Sequence, residues 1–280
     1  MTVHLLGVGP GDPELLTLRA ARLLGRAEAV VHDRLIGPDV LGYASPTAER
    51  YDVGKTPGHP GPTQRDINEL LVQLGARLDC VVRVKGGDPT VFGRGAEEVE
   101  ACHRAGIRTE VVPGITSSIA GPTAAGVSLT RRGTASGFCV VTAHQDPRSD
   151  PVKWSALAHS GLTIVVLMGA RGAPRVADAL LGAGMQADTP VAVVTSATLP
   201  EQQTCRTALG DLGTTPLRAP SVIVIGDVAA AEASLLAEEV LSGDPQGPGT
   251  PGVAGVAQSG VGCTGTRHLA IPHVAGTPPG

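Results

Sequence analysis

Aromatic side chains are nearly missing from this chain: Phe, Tyr and Trp together make up 2% of it. Any core must therefore rest on Val, Leu, Ile and Ala. Paired cysteines are missing too. Cys80, Cys102, Cys139, Cys205 and Cys263 are scattered with no C-x-x-C among them, so neither a zinc site nor a disulfide framework is indicated. They read as buried or free thiols in a reducing cytosol. No apolar run approaches the ~20 residues of a membrane-spanning helix. The first residues show neither a basic start nor a long apolar stretch, so no signal peptide is expected. Positive charge is not in excess either. The formal net charge of −4 argues against a general nucleic-acid binder, whose phosphate contacts need clustered Lys and Arg. These absences point to a cytoplasmic protein with no membrane and no nucleic acid among its partners.

What is present suffices for a sizeable core: 42% of the 280 residues are hydrophobic, enough for one large domain or two small ones. Short apolar runs predict buried strands at Val3–Val8, Ala29–Val31, Cys80–Val84, Thr109–Val112, Phe138–Thr142, Thr163–Met168, Val191–Val194 and Ser221–Ile225. Amphipathic patterns predict helices over Glu14–Leu24, Thr63–Leu74 and Ala96–Ala105. Strands alternating with helices mean an α/β protein. The Gly-, Thr-, Ser- and Ala-rich stretch from Pro113 to Ser136 reads as a junction. The expected division is an N-terminal α/β lobe over 1–115, an inter-lobe segment over 116–136, and a C-terminal α/β lobe over 137–241. From Ser242 to Gly280 the chain is Gly/Pro-rich and free of aromatics, so it is expected to be a disordered tail.

The stretch "LLGVGPGDPELLTL" at Leu5–Leu18 places a glycine-rich turn between a strand and a helix. It is not a dinucleotide fingerprint, which needs glycines at positions one, three and six. Counted from Gly7, the sixth position is Asp12, whose charge would repel a pyrophosphate. Asp12 reads as an N-cap, with Pro13 at the first helical position and Glu14 complementing the dipole. The loop Gly9-Pro10-Gly11 is then free to cup a ligand that lacks phosphate. The Gly-Asp-Pro triplet recurs at Gly87-Asp88-Pro89, after the strand that ends near Lys85. Gly86 and Gly87 allow close approach to the backbone. Loops at the carboxyl ends of parallel strands carry ligands in α/β sheets, so both turns are candidate ligand loops. Taken alone, Asp88 reads as a turn or cap residue at least as well as a ligand. A third candidate loop, "VVPGITSSIAGPTAAG" at Val111–Gly126, offers hydroxyls and main-chain groups without strong charge.

Four segments in order, "GVGPGDPELLTLRA", "VVHDRLI", "VVRVKGGDPTVFGRG" and "VVPGITSSIAGPTAAGVSLTRRG", resemble the tetrapyrrole methylases. The likeness runs over about residues 2–230. It implies two α/β lobes with the active-site cleft between them, S-adenosyl-L-methionine as methyl donor, and a homodimer. A sulfonium nucleoside carries no phosphate, which accounts for the failed fingerprint. By motif match, the resemblance assigns donor binding to Pro10, Gly86, Gly87, Asp88, Val91, Thr116, Ser117, Met168 and Ala197. It implies methyl transfer to carbon, twice, at C2 and C7 of uroporphyrinogen III, giving precorrin-2 for sirohaem or cobalamin synthesis. A methylase acting on a later precorrin intermediate stands as the alternative, and a non-catalytic protein that keeps the pocket as a third.

The resemblance also implies roles in the chemistry. Asp33, in "HDRLI", matches the family's proposed base; a strand-end residue paired with Arg34 is the other reading. Lys55, in "DVGKTPG", matches a proposed proton donor but could equally bind a substrate carboxylate. A substrate with eight carboxylates calls for basic partners, and Arg34, Lys85, Arg94, Arg131 and Arg132 fall in or beside the matched motifs. The Arg131-Arg132 pair could also belong to a solvated loop. His32, His59 and His144 are isolated, and no metal is expected. Thr90 and Gln203 depart from the family's usual Phe and Arg, which bears on the fit of the substrate.

Overall fold

The computed structural model describes residues 1–54, 61–143 and 152–230, together with a strand at Arg267–His268. The chain divides into two units. Of the described residues, Met1–Val8, Leu16–Gly114 and Arg267–His268 belong to the first; Gly9–Leu15 and those from Ile115 to Ala230 belong to the second.

The first unit is built on a parallel sheet. Its strands are β1 (Thr2–Gly7), β2 (Ala29–His32), β3 (Glu49–Asp52), β4 (Cys80–Lys85) and β5 (Arg108–Val112), with β11 (Arg267–His268) beside β3. The order is β11-β3-β2-β4-β1-β5. Continuous apolar runs in β1, β2 and β4 are what a sheet covered on both faces requires. Leu6, Val30, Val82 and Val84 pack with Ala20 and Leu24 of α1 (Leu18–Leu24) and Val40 of α2 (Pro38–Leu41). On the other face Val3, Leu5, Val31 and Val81 pack with Ile67, Leu71 and Leu74 of α3 (Gln64–Gly75) and Cys102 of α4 (Gly95–Arg104). A capping box opens α3: the Thr63 side chain accepts from the Asp66 N–H, and Asp66 accepts from the Thr63 N–H at 2.7 Å.

The second unit carries a mixed sheet in the order β6-β7-β10-β8-β9. Its strands are β6 (Phe138–Thr142), β7 (Thr163–Leu167), β8 (Pro190–Thr195), β9 (Gln203–Ala208) and β10 (Ser221–Ile225). Only β6 and β7 run parallel; β10 is antiparallel to β7 and β8, and β8 to β9. Ile164, Val166, Ile223 and Ile225 form one core with Val176 and Leu180 of α7 (Ala173–Gly182) and with Trp154 of α6 (Trp154–Ala158). The opposite face receives α5 (Ser117–Ala124), where a Cβ on Gly121 would stand 3.1 Å from Val222.

Several elements differ from the sequence reading. The helix expected over Glu14–Leu24 begins only at Leu18. Asp12 does cap, but what it caps is a 3-10 turn over Pro13–Leu15, with its carboxylate accepting from the Glu14 N–H at 2.8 Å. Thr17 then takes an extended conformation and caps α1 through the Ala20 N–H at 3.1 Å. Strands β3 and β9 and helices α2, α5, α6 and α7 were not among the expected elements. α5 lies inside the Pro113–Ser136 stretch and belongs to the second unit. Among the described residues, no helix is long and apolar enough to cross a membrane. Of the tail expected to be disordered from Ser242, only Arg267–His268 is described, paired with Tyr51–Asp52; the rest lies outside the described residues.

Candidate active site

At the carboxyl ends of β1, β4 and β5, three glycines of the first unit meet. A Cβ on Gly7 would lie 2.7 Å from both the Gly114 Cα and the Gly87 carbonyl oxygen; one on Gly114 would lie 2.5 Å from the Gly7 carbonyl carbon. Side chains are excluded because backbone touches backbone. Gly87 also holds φ at 65°. Asp88 fastens this junction. One carboxylate oxygen accepts from the Thr90 N–H at 2.7 Å and from its hydroxyl at 2.6 Å; the other accepts from the Gly114 N–H at 3.0 Å. Burial works against the Asp88 charge, but these donors outweigh it and hold the carboxyl below its ordinary pKa. Gly86 is exposed, and the space a Cβ would enter there is open apart from Ile36 at 3.8 Å. The turn thus offers bare main chain beside a rigid glycine junction. Exposed main-chain groups of this kind suit a hydrogen-bonding ligand.

The turn continues to α4 through Phe92 and Arg94, both at positive φ, 53° and 55°. Such values are uncommon outside glycine and mark a constrained backbone. Gly93 and Gly95 press on the Pro89 carbonyl, where Cβ atoms would stand at 2.7 and 2.5 Å. Arg94 turns back onto Glu97 through two hydrogen bonds of 2.7 Å and is exposed.

Asp33 follows β2 directly. Its carboxylate accepts from Arg83 Nη2 at 2.8 and 3.0 Å. The partner is therefore Arg83 on the neighbouring strand, where Val31 and Arg83 are in register, and not the adjacent Arg34, which is exposed. Arg83 Nε donates to Glu98 Oε1 at 3.1 Å, and Lys85 Nζ reaches both Glu98 oxygens at 3.0 Å. Burial opposes the Arg83 charge, yet Asp33 and Glu98 hold its pKa above the ordinary value. Burial and the adjoining Arg83 push the Lys85 ammonium below its usual range.

In the second unit, the Asp12 N–H donates to Thr198 Oγ1 at 3.2 Å, and a Cβ on Gly11 would strike Leu199 at 2.8 Å. The loop bearing Pro10 is thereby seated on the segment after β8. That segment is strained: Ser196 and Thr198 have φ of 49° and 69° on either side of buried Ala197. Gln202 braces it, accepting from the Thr198 N–H at 2.7 Å and donating to the Ala124 carbonyl at 3.1 Å. Met168, just past β7, also holds positive φ, 54°, with half of its surface exposed. Thr116 caps α5, its hydroxyl accepting from the Ser118 N–H at 3.4 Å.

Two units, glycine-bounded turns without a phosphate signature and a half-exposed carboxylate at a strand end agree with what comparison with known proteins finds. The sequence model of the tetrapyrrole (corrin/porphyrin) methylases matches residues 2–213. The chain belongs to the tetrapyrrole methylases. It is 45% identical over 230 residues to the uroporphyrinogen-III C-methyltransferase of Pseudomonas aeruginosa, a span of 81% of this chain and 93% of that one. It is 44% identical over 232 residues to the S-adenosyl-L-methionine-dependent uroporphyrinogen III methyltransferase of Methanosarcina barkeri, covering 81% and 91%. The crystal structure of the Thermus thermophilus uroporphyrin-III C-methyl transferase complexed with S-adenyl homocysteine matches with a TM-score of 0.72 at 39% identity, over 81% of this chain and 98% of that one.

In this methylase, the positions expected to bind the donor are distributed over both units. Gly86, Gly87, Asp88 and Val91 fall in the first; Pro10, Thr116, Ser117, Met168 and Ala197 fall in the second. Of the expected substrate partners, Arg34 and Arg94 are exposed, whereas Lys85 is buried with its ammonium on Glu98. Arg131 and Arg132 are exposed in a tight turn closed by an Arg131–Ala135 bridge, and residues 130–136 with Gly161 line an open groove of about 560 Å³. Lys55 lies outside the described residues, as do His59 and His144. Among the described residues, no three His, Cys, Asp or Glu side chains gather as a metal ion requires. Sequence reasoning missed Arg83 and Glu98. The available signal was a cation inside the apolar run "CVVRVK", since a buried strand admits an Arg only where an anion meets it.

Proposed function

We propose that this methylase transfers methyl groups from S-adenosyl-L-methionine to C2 and C7 of uroporphyrinogen III, yielding precorrin-2 for sirohaem or cobalamin synthesis. The likeness to proteins named for that reaction, running nearly their whole length, carries the reading. The fit of the donor rests on the Gly86–Asp88 turn, whose open main chain and buried carboxylate brace suit a ligand without phosphate. When bound, the sulfonium supplies an electrophilic methyl group and departs as a neutral thioether. The chain's own residues align the acceptor carbon and remove a proton from the substrate. Asp33 accepts that proton, becoming a carboxylic acid; its side chain is 39% exposed, so the carboxylate is open to solvent while Arg83 grips it from within. Arg34, Arg94, Arg131 and Arg132 pair with substrate carboxylates. Lys55 either returns a proton or binds a further carboxylate. We place the protein in the cytoplasm as a homodimer.

The test is anaerobic incubation with uroporphyrinogen III and S-adenosylmethionine, followed by the mass of the product. A dimethylated tetrapyrrole is expected. No methylation, with an authentic methyltransferase active in parallel, overturns the reading. Asp33→Ala is expected to slow turnover by ~100-fold or more, the usual worth of a positioned base, with donor affinity unchanged.

A further inference from the structure

Beneath Asp33 lies a buried charge network that the reaction as described does not use. Arg83 is 2% exposed, Lys85 4% and Glu98 0%. Glu98 Oε1 accepts from Arg83 Nε, from Lys85 Nζ and from Gln64 Nε2, the last at 3.3 Å. Arg83 Nη1 donates to the Val84 carbonyl at 3.1 Å, so each nitrogen of the guanidinium has a partner. The charges alternate along the chain of contacts: Lys85, Glu98, Arg83, Asp33. Asp33 alone reaches solvent.

Burying three charges is a poor way to gain stability, because desolvation cancels most of the attraction. The arrangement makes better sense as a means of holding one group still. A guanidinium locked at Nε and Nη1 has no freedom left at Nη2, and Nη2 is the atom that touches both oxygens of Asp33. A Lys at the same position could not reproduce this fork.

We propose that Arg83, itself fixed by Glu98, is a positioning residue for proton removal, setting the orientation of the Asp33 carboxylate. The proposal rests on Asp33 as the base. The two variants that test it are Arg83→Lys, which keeps the charge and loses the fork, and Glu98→Gln, which keeps the shape and loosens Arg83. Steady-state methylation gives kcat and KM for both substrates, and calorimetry gives the affinity for S-adenosylhomocysteine. Arg83→Lys is expected to lower kcat at least about tenfold, since small misplacements of a catalytic group are costly. KM and S-adenosylhomocysteine affinity are expected to stay within about twofold, as uniform binding is untouched. Glu98→Gln is expected to show the same split with a smaller fall. In an Asp33→Ala background, Arg83→Lys should lower kcat no further, because residues that act as a unit are not additive.

Unchanged kcat in Arg83→Lys, a kcat loss that persists at full size in the Asp33→Ala background, or loss of S-adenosylhomocysteine binding in both single variants overturns the proposal. The last outcome assigns the network to folding. Failure of the underlying reading looks different: Asp33→Ala would then turn over normally, or the unsubstituted enzyme would make no methylated product.

Discussion

Replacing Asp88 with Asn changes one atom in size and shape very little, yet it should loosen the loop that is proposed to hold the methyl donor. Both carboxylate oxygens of Asp88 accept from main-chain N–H groups, Thr90 on one side and Gly114 on the other. An amide has one oxygen. Whichever way the Asn is turned, its NH₂ faces a donor and one N–H loses its partner. If the oxygen serves Gly114, the orphan is on Thr90, an exposed residue whose N–H water can reach. If it serves Thr90, the orphan lies at the glycine junction. An unsatisfied donor costs about 1–3 kcal/mol, and the loss of charge-assisted bonds adds to it. The lower end of that range applies when water relieves Thr90. Urea unfolding of Asp88→Asn against the unsubstituted protein should therefore show a loss of about 1–3 kcal/mol with the slope unchanged. Calorimetry should show weaker S-adenosylhomocysteine binding, because the Gly86–Gly87 main chain is no longer clamped to Gly114. Stability within about 0.5 kcal/mol of the parent, together with unaltered affinity, would refute this account, since surface substitutions away from special features fall in that band.

The same carboxylate gives a pH dependence. Its folded-state pKa lies below the unfolded value, so its contribution is full above about pH 3.9 and disappears as the pH falls through the depressed folded value. Asp88→Asn should show a shallower fall in stability than the parent across that acidic window, measured by denaturant titration. Gly114→Ala should destabilise by about 3 kcal/mol or more, because the new Cβ meets backbone atoms of Gly7 and Gly87 that no rotamer change can relieve; thermal or urea unfolding reads it directly. Cys102 is fully buried and its thiol is pushed up to about 11 by burial and then by Glu98, whereas Cys205 is exposed. Mapping iodoacetamide adducts at pH 8 should find Cys205 labelled and Cys102 untouched until the protein is unfolded.

The apolar strands were legible because Val, Ile and Leu dominate most of them. The observed limits of β6 and β10, Phe138–Thr142 and Ser221–Ile225, coincide with the runs themselves. Strands β3 and β9, "ERYD" and "QTCRTA", carry no such run. β9 is an edge strand and β3 lies near the sheet's edge, where polar residues keep access to water and the apolar pattern fades. Helix α5 was hidden for a different reason. "SSIAGPTA" contains Gly and Pro, and local propensity reads such a stretch as a loop. Tertiary packing prevails there: Gly121 lets the helix approach Val222 and Ala197 closely, a gain that no local signal announces. The grouping of Gly9–Leu15 with the second unit goes with contacts such as Asp12–Thr198, which spans 186 positions of sequence and could not be read from its neighbours.

Some of the positions assigned by resemblance, or their immediate neighbours, have a physical character that their motifs do not state. Met168 and the flanks of Ala197 hold backbone conformations that cost about 1–3 kcal/mol each, and Arg94 does the same in the first unit. A chain under selection for stability alone would place Gly at such sites. That reasoning yields a last prediction. Met168→Gly removes the Cβ penalty at φ 54° and loses little packing, because the side chain is half exposed. It should raise the unfolding free energy by about 0.5–1 kcal/mol once the added freedom of the unfolded chain is deducted. If Met168 is also a donor contact, S-adenosylhomocysteine affinity should fall in the same variant, so that stability and binding move in opposite directions. A variant that loses stability would show that Met168 packs where it is described as exposed. One that gains stability with unchanged affinity would remove Met168 from the donor site while leaving the strain argument standing.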